Sequence, residues 1–136
     1  MQPATLALTA QRWVPFVYAI DFEGFDLSAA TFAMQVRLYR DAPNQPMISL
    51  TNAAPQAEGI SVKVATVDGV TTSSVQIRIN ETTIENTLPF TVDANYRPSR
   101  IEPDVTLAWD LVISGAGLTK ARWLEGAFII KGGVTQ

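Results

Sequence analysis

Apolar residues in this chain recur at every second position in one segment after another, which is the period of strands resting one face on a core. The longest example lies near the C-terminal end. Val105, Leu107, Trp109, Leu111 and Ile113 share a face, Gly115-Ala116-Gly117 supplies a turn, and a return arm follows, so residues 104–134 read as a β-hairpin. In the return arm Ala121, Trp123, Glu125, Ala127 and Ile129 alternate with Arg122, Leu124, Gly126, Phe128 and Ile130, and the pattern does not choose the inward set. Phe32, Met34, Val36 and Leu38 alternating with Ala33, Gln35, Arg37 and Tyr39 make the clearest single strand.

Leu6 and Leu8 suggest a short first strand, and Val14, Phe16, Tyr18 and Ile20 mark a second. Pro15 cannot donate to a ladder, so this second strand is expected to lie at an edge or to begin after the proline. Asp21 to Asp26, with three carboxylates and Gly24, reads as a loop, and Asp41 to Pro46 as a turn before a brief strand at 47–51. Ile60, Val62 and Val64, then Asp68-Gly69, then Val75, Ile77 and Ile79 describe a second hairpin. From Asn80 the period changes, with Ile84 and Leu88 four apart behind a capping asparagine and ahead of Pro89, which predicts a short helix near 81–88. Residues 90–103 are the longest irregular stretch.

Three separate apolar faces are buried together only when sheets stack. The expected fold is therefore all-β, an antiparallel β-sandwich (immunoglobulin-like or related) in a single domain over 1–136. Its core is expected to hold Phe32, Met34, Val36, Leu38, Ile77, Ile79, Leu107, Trp109 and Leu111.

Composition mostly removes functions. The chain has no cysteine, so it has no disulfide, thiolate nucleophile or cysteine metal site, and no histidine, so the commonest general base is missing as well. We therefore expect no enzyme and no cofactor. A net charge of -3 carries no basic footprint for nucleic acid, and no stretch approaches the apolar length of a membrane helix. Met1 to Thr5 lacks the basic start of a secretory signal, so the expectation is synthesis in a host cytoplasm.

Gly24-Phe25-Asp26-Leu27-Ser28 leading into Phe32 to Arg37, then Ile77 to Ile84, Trp109 to Ile113 and Leu124 to Phe128, resemble β-sandwich modules in tail and baseplate proteins of tailed bacteriophages. The similarity is to the N-terminal domain of baseplate upper proteins. It implies a structural virion protein, a tail, baseplate or fibre-attachment accessory subunit, whose partners are other virion proteins and copies of itself. Two alternatives are a carbohydrate-binding or receptor-binding module, if Trp13, Tyr39 and Tyr96 converge on one face, and a capsid decoration protein.

The candidate contact residues follow from where apolar and arginine side chains fall outside strands. Phe90, Val92, Tyr96, Arg97, Arg100 and Ile101 load the irregular segment with residue types favoured in interfaces, and Trp13 lies near another irregular segment. Arg37 and Asp110 occupy the polar phase of two strong strands and are a candidate cross-strand pair fixing register. Asp21, Glu23 and Asp26 offer oxygen ligands but lack the spacing of a calcium loop, and Glu102 and Asp104 flank a proline without supporting groups, so neither a metal nor a hydrolytic site is expected.

Overall fold

Period-two segments become two stacked sheets in the computed structural model, which describes residues 3–43, 45–87, 105–115 and 117–131. In chain order the elements are β1 (Ala4–Thr5), β2 (Leu8–Gln11), β3 (Phe16–Glu23), β4 (Ala30–Arg37), β5 (Ile48–Thr51), β6 (Gly59–Val67), β7 (Val70–Ile79), α1 (Glu81–Thr87), β8 (Val105–Gly115) and β9 (Leu118–Lys131). The larger sheet runs β1-β9-β8-β4-β5, with β2 also on β9, and the smaller runs β3-β7-β6. Among the described strands, β1 and β2 pair parallel with β9 and the other pairings are antiparallel. A sheet of β3, β7 and β6 facing one built on β9, β8 and β4 is the arrangement of an immunoglobulin-like sandwich.

The core lies between the sheets and is drawn from one face of each strand. Phe32, Met34 and Val36 of β4, Leu107, Trp109, Leu111 and Ile113 of β8, and Val75, Ile77 and Ile79 of β7 are all buried. Phe16 of β3 meets Phe128 of β9 edge to face at 5.3 Å, joining the two sheets. Without cysteine, packing replaces the inter-sheet bridge of antibody domains. The large buried indole sits on β8, where its Nε1 donates to the Leu6 carbonyl at 2.9 Å.

Two sequence expectations need correction, and the ambiguity of the return arm finds its cause. Asp21, Phe22 and Glu23 continue β3 instead of forming a loop, because Ser74, Ser73 and Thr72 of β7 stand opposite them and extend the ladder. Leu38 is 45% exposed, since β4 ends at Arg37 and the chain turns away before the next inward position is reached. The return arm β9 has no single inward phase: Leu111 pairs with Leu124 and Val112 with Arg122, so Trp123 is an extra residue in a bulge. Ala121 and Trp123 therefore belong to one alternation and Leu124, Phe128 and Ile130 to the next. Both Trp123 and Leu124 are buried, with Trp123 edge-on to Phe22 and Phe25 at 5.4 and 5.0 Å.

The hairpin at Asp68-Gly69 forms as the sequence indicates, with both residues at positive φ (52° and 79°), the conformation a tight two-residue turn demands. The helix starts with Ile84 N–H donating to the Asn80 carbonyl at 3.1 Å, and Ile84 is fully buried.

Gly126 matters for a different reason. The N-terminal strand crosses β9 there: Leu6 N–H donates to the Glu125 carbonyl at 2.9 Å, and a Cβ on Gly126 would overlap the Leu6 backbone. Gly126→Ala is expected to cost about 1–3 kcal/mol by overpacking, read as a lowered denaturation midpoint. A midpoint unchanged from the parent would show that β1 and β2 are not docked on β9.

Candidate interaction surfaces

Polar residues at the outward phase of β4, β8 and β9 collect into a groove of 540 Å³ on the outer face of the larger sheet, closed at one end by the turn that carries Tyr39, Arg40 and Asp41. Asp110 accepts from Arg122 Nε at 3.0 Å, and Arg40 Nη2 lies 3.5 Å from Glu125. Register places Asp110 directly opposite Glu125, so the two arginines offset a like-charge pair that alone would be unfavourable. The Arg40 contact is 70% exposed at the guanidinium end and contributes little by itself.

Arg37 and Asp110 both face this groove but do not form the expected pair. Gln35 stands opposite Asp110 and Ala108 opposite Arg37. Arg37 instead donates to the Ala42 carbonyl at 3.0 Å and to Gln35 Oε1 at 2.9 Å, which holds the β4–β5 turn over the groove. Arg122 was not visible as Asp110's partner in the sequence because the bulge at Trp123 displaces it by one position.

A second polar cluster closes one end of the sandwich. Arg12, at the end of β2, is buried and donates through Nε and Nη2 to the Glu85 carboxylate of α1, at 3.1 and 2.5 Å. Trp13 lies over the guanidinium at 4.4 Å, with its backbone at φ 74°, and is half-buried. Its indole thus covers the guanidinium of this ion pair and keeps part of its surface open. Arg12 directly follows β2, and its pairing with Glu85, 73 residues on, leaves no local pattern in the sequence.

The third surface is the side of β3. It is the terminal strand of the smaller sheet, paired with β7 over all its residues, and among the described residues no strand adjoins its other side. Val14, Val17, Tyr18 and Phe25 on and beside it are exposed, four of the eight large apolar side chains left open to solvent among the described residues. Phe16 and Tyr18 stack nearly parallel, with ring centroids 6.3 Å apart.

Two acidic residues of this region are held by serines. Asp21 accepts from Ser74 Oγ at 2.6 Å, and Asp26 accepts from the Ser28 hydroxyl and N–H at 2.7 and 3.1 Å. The Ser28 hydroxyl, with its N–H second, holds the Asp26 carboxyl below its usual range. That loop contribution is present above the unfolded pKa and is lost as pH falls through the lowered one. Among the described residues no group of three acidic side chains could hold a metal ion. Phe90, Val92, Tyr96, Arg97, Arg100 and Ile101 lie outside the described residues, as do Glu102 and Asp104.

No family model and no curated protein matches this chain. Among solved structures it is similar to a chain from a study of multimeric cell-adhesive interactions of VGSC beta subunits, at 10% identity and a TM-score of 0.38, over 94% of this chain and 91% of the other.

Proposed function

We propose that the chain is a structural virion subunit of a tailed bacteriophage, an accessory part of the tail, baseplate or fibre attachment, acting by protein–protein contacts and not by catalysis. The observation that carries the contact role is the gathering of exposed apolar side chains along the open side of β3. Pro15, Asp21 and Glu23 blunt the two ends of this edge, but its middle carries exposed apolar side chains of the kind an assembly subunit covers by pairing. The assignment to a virion is supported by the tail and baseplate resemblance, whose blocks fall on elements of the sandwich: the β3–β4 connection with β4, the end of β7 with α1, and the centres of β8 and β9. Among the described residues, the groove that Tyr39 lines does not include Trp13, which gives the sugar-platform alternative less support than the contact role.

Gradient-purified particles from the phage that encodes this chain should contain it in fixed stoichiometry by mass spectrometry, cross-linked to neighbouring virion proteins. Deleting its gene should leave particles defective in tail assembly or infection. Its absence from purified particles would overturn the virion reading.

A further inference from the structure

We propose that β3 is a self-docking strand: two copies of the chain pair their β3 strands antiparallel about Ala19, fusing two three-stranded sheets into one of six. Such a dimer rests on the reading of the chain as an assembly subunit and names one of its partners.

Backbone directions set which registers are allowed. Gly24 N–H donates to the Thr71 carbonyl at 2.6 Å, so Gly24 belongs to the residues that point their polar groups at β7. Alternate residues of a strand point the same way, so Phe16, Tyr18, Ile20 and Phe22 bond to β7 while Val17, Ala19, Asp21 and Glu23 direct N–H and C=O out of the sheet. A second β3 can bond only through that outward set. Centring on Ala19 pairs Ala19 with itself and Val17 with the second copy's Asp21, and the reverse, giving three bonded pairs of two hydrogen bonds each. Beyond them Pro15 would stand opposite Glu23, and its missing N–H ends the ladder.

Side chains favour the same register. On the inward phase Phe16 meets the second copy's Phe22 and Tyr18 meets its Ile20, so Tyr18, Ile20 and Phe22, which are exposed or half-buried in one copy, gain cover in the pair while Phe16 is already buried. The carboxylates occupy only the second half of the strand, so antiparallel pairing about Ala19 keeps the two Asp21 residues four positions apart. Sliding the centre to Asp21 would set them face to face. Arg78 stands opposite Val17 on β7, which places Arg78, Val17 and the second copy's Asp21 in one row on the outer face, and the two-fold repeats that charge complementarity. The eight residues of β3 contain no lysine, arginine or proline to oppose pairing.

One strand pair buries less than the roughly 1,200 Å² of a stable complex, so the dimer is weak in solution and strengthened where copies are held side by side. The chain has no cysteine of its own, which makes thiol mapping clean. Ala19→Cys should oxidise to a disulfide-linked dimer at least about tenfold faster than Val67→Cys at the exposed hairpin tip, because pairing raises the effective concentration. Val17→Cys or Asp21→Cys alone should not gain that advantage, while an equal mixture of the two should. Sedimentation velocity should show dimer rising with concentration in the parent. The dimer should be lost in Ala19→Pro, which removes only an outward N–H, and in Val17→Asp, which sets two carboxylates opposite each other. A chain that stays monomeric, with Ala19→Cys oxidising no faster than Val67→Cys, overturns the dimer. If that chain is nonetheless present in particles, the assembly reading stands without it. β3 cross-linked in particles to a different protein also overturns self-pairing, whereas dimers formed by a chain absent from particles support self-pairing and remove the virion reading.

Discussion

Replacing Trp109 by alanine is expected to cost about 3–5 kcal/mol and to lower the melting temperature by roughly 10–15 °C, the largest single effect available in this core. The indole is only 3% exposed and is held at both ends. Its ring lies in the inward row of β8 between Leu107 and Leu111, and its Nε1 carries the Leu6 carbonyl at 2.9 Å. Truncation therefore opens a cavity between the sheets and also leaves a carbonyl of the N-terminal segment without its donor. Trp109→Phe separates the two contributions: it keeps most of the apolar volume and loses the hydrogen bond, so about 1–2 kcal/mol should remain. Thermal and urea denaturation read both. An alanine variant that melts with the parent would place the side chain at the surface and sink the packing described for β8.

Most of the sandwich was legible because its strands bury one face and expose the other. β4, β7 and β8 have uniform alternation, and each was placed with its inward residues correct except Leu38, where the strand stops one residue short. β9 was ambiguous for a physical reason: the bulge at Trp123 adds one residue, and a pattern averaged over both halves cancels. Composition marks the acids of β3, Asp21 and Glu23, as loop formers, while the ladder with Ser74 and Thr72 depends on a strand about fifty residues away. The candidate surfaces were less legible still. Asp110 pairs with Arg122 and not with Arg37, and that partner depends on the same bulge. The open edge of β3 was foreshadowed by Pro15 alone, which predicts an edge but says nothing of the apolar side chains left along it. Partners in three dimensions, unlike faces, are not periodic in sequence.

Glu85→Ala is expected to be the second most damaging substitution, at about 3 kcal/mol, because it removes the counter-charge of a buried cation. The Arg12 side chain is 5% exposed and that of Glu85 is 18% exposed, so water can reach the carboxylate's side of the pair and the cost falls at the lower end of the range for a broken buried ion pair. The loss is amplified by what the pair holds. α1 has only seven residues, too few to be stable alone, and it is fastened to the sandwich by the buried Ile84 and by this ion pair. Replacing both partners, Arg12→Met with Glu85→Leu, should recover most of the stability, since apolar groups of similar volume leave no charge uncompensated. A double-mutant cycle in urea would therefore show strong coupling, and the coupling should persist in molar salt that screens the exposed Arg40–Glu125 contact. If Glu85→Ala costs under about 0.5 kcal/mol, the carboxylate is not what holds Arg12 in the interior.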